Sequence, residues 1–144
     1  MILPDVNVLI YAFRQDSPKH GICRPWIVDV LSGEGRFGLS PLTLAAVVRI
    51  TTGPAYTNPS SAEEVFRFCD YLLGQPHCEL VEPGSRHWDI FKRLCIDTNT
   101  RGPRVTDAWF AALAIEWGCE WITMDSDYAR FPGLKWSAPV APVA

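Results

Sequence analysis

Three aspartates occupy positions from which they could act together. Asp5 follows the apolar pair Ile2-Leu3, Asp107 heads the apolar run Ala108 to Ile115, and Asp125 follows Trp121-Ile122-Thr123. An aspartate at a helix start ordinarily caps it, accepting from free backbone N–H groups and complementing the helix dipole for about 1 kcal/mol. Taken singly, each of the three reads as such a cap. Gathered in one place they behave differently, because two carboxylates about 5 Å apart repel by roughly 3 kcal/mol at an effective dielectric near 20. A fold with only stability to serve gains little from that arrangement. A divalent cation reverses the sign: Mg²⁺ suits carboxylate oxygens plus water and substrate phosphate. Such a centre activates water against a phosphodiester. Asp127, two residues beyond Asp125, is a secondary candidate that could assist or replace it.

The elements that must carry these acids alternate in type. Ile2-Leu3, Phe37-Gly38-Leu39, Cys78 to Val81 and Trp121-Ile122-Thr123 read as strands, with Leu134-Lys135-Trp136 a candidate fifth. Between them lie helical patterns with start and stop signals. Ser17-Pro18 offers a cap followed by proline ahead of Ile22, Trp26, Ile27, Val30 and Leu31, and Gly33 stops that run. Ser40-Pro41 opens a helix from Leu42 to about Thr51, and Ser61-Ala-Glu-Glu64 is a capping box whose helix Gly74 closes. A helix follows Ser85, and another runs from Asp107 to Ile115 with Gly118 at its end. Strands alternating with helices predict an α/β domain with a mainly parallel sheet of four to five strands, flanked by helices. Working sites in such folds lie beyond the carboxyl ends of the strands, where Asp5 and Asp125 stand. The expected division is one domain over residues 1–136 and an extended tail over 137–144.

The chain has 144 residues, 48% hydrophobic and 20% charged, the proportions of a single globular domain. No apolar run approaches the length of a membrane span, and the start of the chain lacks the basic region of a signal peptide. Five scattered cysteines without a C-x-x-C pair read as buried thiols of a reducing, cytoplasmic compartment. His20, His77 and His87 show no zinc-ligand spacing, and His77-Cys78 point to opposite faces of a strand, which disfavours Cys-His nucleophilic chemistry. A net charge of −3 argues against a broadly basic nucleic-acid surface but leaves room for a local acidic site acting on phosphates.

Four segments, in order, resemble a PIN domain: Asp5-Val-Asn7-Val-Leu9, Leu39-Ser-Pro-Leu-Thr-Leu-Ala-Ala-Val-Val-Arg49, Thr106-Asp107-Ala-Trp-Phe-Ala-Ala-Leu-Ala114, and Thr123-Met-Asp125-Ser-Asp127-Tyr-Ala-Arg-Phe131. The match is closest to the VapC toxins of bacterial VapBC toxin–antitoxin pairs, in their mycobacterial style, and covers nearly the whole chain. No single motif is strong; their order and spacing are. The resemblance implies a Mg²⁺- or Mn²⁺-dependent endoribonuclease with Asp5, Asp107 and Asp125 as metal-binding and catalytic acids. It also implies an RNA substrate, a homodimer, and a VapB-type antitoxin whose C-terminal segment covers the acidic groove. Asn7 and Ser40 match positions that help hold the first acid and the substrate side of the site. An ordinary turn or cap role stands beside that reading for both, and Thr43, one turn into the same helix, is a further candidate.

One departure stands out. The family pattern L-x-x-A-E-V-x-R places a glutamate where this chain reads Leu42-Thr-Leu-Ala-Ala46-Val-Val-Arg49. Glu63 and Glu64 belong to the capping box of the next helix and are poor replacements. A degenerate gene, or replacement of the acid to tame a toxic nuclease, would each produce Ala46; its isolation in an otherwise matching chain favours the second. Low activity is expected either way. The rival reading is a PIN fold kept as a non-catalytic protein-interaction module. Arg101 and Arg104, just before Asp107, are better candidates for holding substrate phosphate than Arg14, Arg49, Lys92 and Arg93, with a solvated face as the alternative. Trp109, Phe110, Trp117 and Trp121 are read as core or dimer surface rather than base-stacking groups.

Overall fold

Every strand of the sheet is parallel to its neighbours. In the computed structural model, which describes residues 1–143, the strands β1 (Ile2–Pro4), β2 (Phe37–Leu39), β3 (Cys78–Leu80), β4 (Glu120–Ile122) and β5 (Trp136–Ser137) lie in the order β3-β2-β1-β4-β5. The first strand is therefore central. Ile2, Leu3 and Pro4 pair with Glu120, Trp121 and Ile122 on one side, and Ile2 pairs with Phe37 on the other. At the carboxyl end of β1 the Asp5 N–H donates to the Ile122 carbonyl at 2.8 Å, so the register of these two strands fixes where Asp5 stands.

Among the described residues six helices connect the strands: α1 (Val6–Phe13), α2 (His20–Ser32), α3 (Pro41–Thr52), α4 (Ala62–Leu73), α5 (His87–Asp97) and α6 (Val105–Trp117). Their ends follow local chemistry. The Ser40 hydroxyl accepts from the Leu42 N–H with Pro41 at the first helical position, and the Ser61 hydroxyl accepts from the Glu64 N–H at 3.2 Å. Gly118 closes α6 in the left-handed conformation at φ 66°, which glycine adopts without steric cost.

Two expected boundaries move. Ser17-Pro18 do not begin α2: the Ser17 carbonyl accepts from the His20 N–H, making a turn, and the helix starts three residues later with Pro25 inside it. The fifth strand is Trp136–Ser137 rather than Leu134 to Trp136, so Ser137, assigned above to the tail, is part of the sheet.

The sheet separates two apolar layers. On one side Leu3 and Trp121 pack with Phe110, Leu113 and the alanines of α6, together with Ile90 and Leu94 of α5. On the other, Phe37, Leu39 and Ile122 meet Val8, Leu9, Ile27, Val47 and Leu72 from α1 to α4. Period-two alternation of the strand residues supplies both faces. Gly38 allows the tightest approach, since a Cβ there would lie 2.5 Å from Val81 Cγ2. All five thiols are free, and burial pushes those of Cys23 and Cys69 up to about 11, leaving them protonated at neutral pH. Among the described residues no helix is long and apolar enough to cross a membrane.

Candidate functional site

Beyond the carboxyl ends of β1 and β4 lies a pocket of about 420 Å³, and Asp5, Asp107 and Asp125 all line it. They arrive by different routes. Asp5 caps α1, its Oδ1 accepting from the Val6 N–H at 2.6 Å. Asp125 caps the 3₁₀ turn Ser126–Arg130, its Oδ1 accepting from the Asp127 N–H at 2.9 Å. Asp107 departs from the cap reading. It is the third residue of α6, which begins at Val105, and its Oδ1 accepts from the Tyr128 hydroxyl at 3.3 Å instead. Of the three acids, Asp107 therefore has no capping duty that accounts for its presence.

Asp5 is 6% exposed, and burial pushes its carboxyl up from 3.8 to about 6. The negative charges of Asp107 and Asp125 push the same way, while hydrogen bonds from Thr123 and Val6 oppose them. Burial also raises Asp107, with Asp125 adding to the shift and the Tyr128 hydroxyl resisting it. A cation in the pocket would relieve both groups. The donor set is oxygen only, as Mg²⁺ or Mn²⁺ prefers. Asn7 also lines the pocket, and its Oδ1 is buried without a hydrogen-bond partner. Among the described residues no three His, Cys, Asp or Glu side chains form a ready-made cation cage. An ion keeping several of its waters does not need one.

Two residues that sequence reasoning missed hold the acids in place. Thr123 is fully buried; its hydroxyl donates to Asp5 Oδ2 at 2.6 Å and accepts from the Asp125 N–H at 3.0 Å. Tyr128, 3% exposed, orients Asp107, and burial pushes its phenol far above the usual range. The T-x-D spacing of Thr123 and Asp125 was the available signal for the first. Nothing local marked the second.

Ala46 of α3 lines the same pocket as the three acids. The secondary candidates divide. Asn7 is in the pocket wall, whereas Ser40 and Thr43 are not: Ser40 caps α3, and Thr43 is fully buried with its hydroxyl unpartnered. Asp127 turns away to pair with Arg104 at 2.8 Å. Arg101 and Arg104 are exposed and do not line the pocket, Arg101 donating to Asn99 at 3.1 Å. Arg49, the cation that does line it, projects from α3 one turn after Ala46. Arg14 is withdrawn from the solvent, 9% exposed and bound to Asp16. Of the aromatic side chains named from sequence, Phe110 and Trp121 are core residues, and the Trp117 indole donates to the Glu82 carbonyl at 2.8 Å.

Comparison with known proteins agrees with this architecture. The family model for the PIN domain matches residues 2–134. The chain is 34% identical over 141 residues to Ribonuclease VapC43 of Mycobacterium tuberculosis, covering 97% of this chain and 96% of that protein. It is 34% identical over 140 residues to Ribonuclease VapC25 of the same organism, covering 96% and 99%. Among solved structures, VapBC2 from Rickettsia felis bound to a promoter DNA fragment superposes with a TM-score of 0.70 at 16% identity, covering 96% of this chain and 99% of that one. The Mycobacterium tuberculosis toxin VapC20, which cleaves the sarcin-ricin loop, superposes at 0.67 and 12% identity, covering 93% and 98%. The structural likenesses concern the fold.

Proposed function

This chain belongs to the PIN-domain family, in its VapC branch, and from that membership and the chemistry of its pocket we propose that it is the endoribonuclease toxin of a type II toxin–antitoxin pair. The observation that carries the reading is the convergence of Asp5, Asp107 and Asp125 on one pocket at the carboxyl ends of the central strands. Mg²⁺, or Mn²⁺, held by these three carboxylates would supply activation of water and neutralisation of the charge that develops on a cleaved phosphodiester. The chain's own groups do the rest. Thr123 turns Asp5 toward the pocket while holding the Asp125 backbone, and Tyr128 orients Asp107. Asn7 offers a buried carbonyl oxygen that needs a donor, such as water or a ribose hydroxyl. Arg101 and Arg104 stand exposed on the approach to α6, where they can meet phosphates flanking the cut.

Ala46 leaves this wall of the pocket without a carboxylate, so the chain cleaves RNA slowly or not at all. The protein acts in the cytoplasm as a homodimer, and a VapB-type antitoxin covers the acidic groove with its C-terminal segment. Structures of VapBC pairs with this fold support the antitoxin.

The test is a side-by-side assay of the chain and its Ala46→Glu variant on total RNA with Mg²⁺, Mn²⁺ or EDTA. EDTA-sensitive cleavage that is much stronger in the variant, and toxic on expression without antitoxin, is expected. Equal activity in the two proteins would mean that position 46 is not the missing acid position. Cleavage by neither, under any metal, would favour the interaction module.

A further inference from the structure

The pocket has walls that the acids do not explain. Tyr11, Arg49, Ile50 and Tyr56 line it together with Asp5, Asp107 and Asp125. Tyr56 belongs to the loop between α3 and α4, most of whose residues are exposed, and such a loop would ordinarily be mobile. This one is tied by one side chain in addition to a backbone bond from the Ser60 N–H to the Thr51 carbonyl at 2.8 Å. Arg14, at the end of α1, donates through Nε and Nη2 to both carboxylate oxygens of Asp16, at 2.9 and 2.6 Å. Its Nη1 donates to the Asn58 carbonyl at 2.6 Å and the Ser60 hydroxyl at 2.8 Å, and Nη2 also reaches the Thr57 carbonyl at 2.6 Å. All the donors of the guanidinium are thus engaged. The group lies over the Tyr56 ring, 5.0 Å from the centroid, within the range of a cation–π contact.

A stability role alone leaves the location of Tyr56 unaccounted for. The guanidinium backs the ring, and the ring forms pocket wall in company with three carboxylates and the cation Arg49. Sites for single-stranded nucleic acid combine phosphate contacts with an aromatic side chain on which an unpaired base stacks. The tryptophans do not line this pocket, Phe110 and Tyr128 are buried in its wall, and Tyr11, half-buried like Tyr56, has no cation over its ring among the described residues. Tyr56, half-buried and immobilised, is the aromatic group placed for the task.

We propose that Tyr56 is the nucleobase platform of the pocket, stacking on the unpaired base of a nucleotide adjacent to the phosphate at the acids, with Arg14 as the positioning residue that holds it. This rests on the nuclease reading above and deepens it by assigning the residue that takes the base, since an unpaired base can present its face to the ring. Arg49 contacts the neighbouring phosphate.

The experiment measures binding, so that it does not depend on the activity Ala46 withholds. A short single-stranded oligoribonucleotide carrying 2-aminopurine is titrated with the parent chain in Mg²⁺. Its emission is expected to fall as the fluorescent base stacks. Tyr56→Phe retains affinity and quenching, whereas Tyr56→Leu weakens binding about tenfold or more, the range of one lost base–aromatic stack, and abolishes the quenching. Arg14→Lys, which keeps the charge but not the five-donor fork, weakens binding in the same direction. Combined with Tyr56→Leu it adds little, as expected for residues acting in series. In the parent chain, a 4-thiouridine oligoribonucleotide photocrosslinks to the peptide containing Tyr56, a readout independent of any substitution. Unchanged affinity and quenching in Tyr56→Leu, or crosslinks confined to other peptides, overturns the platform and leaves the nuclease reading standing. Failure of the parent chain to bind the RNA at all overturns that reading and the platform with it.

Discussion

The Thr123 hydroxyl donates to Oδ2 of Asp5 at 2.6 Å, joining residues 118 positions apart in the chain. The Thr123 hydroxyl oxygen in turn accepts from the Asp125 N–H, so one small side chain sets the orientation of one acid and the backbone of another. Thr123→Val keeps the shape and removes both bonds. It is expected to cost about 1–3 kcal/mol, because a buried acceptor and donor lose their partner. Thr123→Ser should cost less. Urea denaturation of the two variants measures the difference; an equal loss in both would assign the effect to packing.

Protonation of Asp5 gives the stability a defined pH dependence. Its carboxyl is raised from 3.8 to about 6, so the folded state binds this proton more tightly than the unfolded chain does. The resulting stabilisation is fully present below about pH 4 and is lost as pH rises through about 6, up to roughly 3 kcal/mol in all. Asp107 is shifted in the same direction. In EDTA, Asp5→Asn is expected to be more stable than the parent at about pH 7.5 by about 1–3 kcal/mol and to converge with it near pH 4. Parallel unfolding curves at all pH values would show that Asp5 titrates normally.

Asp107→Asn separates metal binding from folding. Asparagine retains an oxygen to accept from Tyr128, and Asp107 caps no helix, so the metal-free melting temperature should change little or rise. The rise in melting temperature on adding Mg²⁺ or Mn²⁺, which follows from binding to the folded state alone, should shrink or vanish. Calorimetric affinity equal to that of the parent would remove Asp107 from the metal site.

Gly38→Ala tests the packing beneath the site. The added Cβ would fall 2.5 Å from Val81 Cγ2 and 3.4 Å from Leu3 Cδ1, inside the sheet's buried face. A loss of about 1–3 kcal/mol is expected from overpacking. Denaturant midpoints check it, and an unchanged midpoint would mean that Val81 can step aside.

What could be read in advance was what is local. Ser40-Pro41, the Ser61–Glu64 box and Gly118 announce helix ends because a cap is satisfied within a few residues. Asp5 and Asp125 were legible because strand order in an alternating chain determines which ends meet, and Asp107 because it heads the apolar run of the helix leading into β4. Ser17-Pro18 misled, since the same residue types also make turns. β5 was displaced because a two-residue strand has no periodicity to read. Thr123, Tyr128, Tyr56 and Arg14 acquire their roles from partners far along the chain or from the walls of a pocket, and neither is written in their neighbours.

The central place of β1 has a consequence for synthesis. Its partner strand β4 and the last acid come from residues 120–125, so both ends of the chain must be present before the pocket closes. Chains grow from the N-terminus at about 5–20 residues per second. A nascent chain halted before Glu120 carries Asp5 on a strand whose β4 partner is not yet made, without the hydroxyl that aims it or the carboxylate of Asp125. The pocket and its full set of three acids are therefore among the last features to be completed as the chain is made.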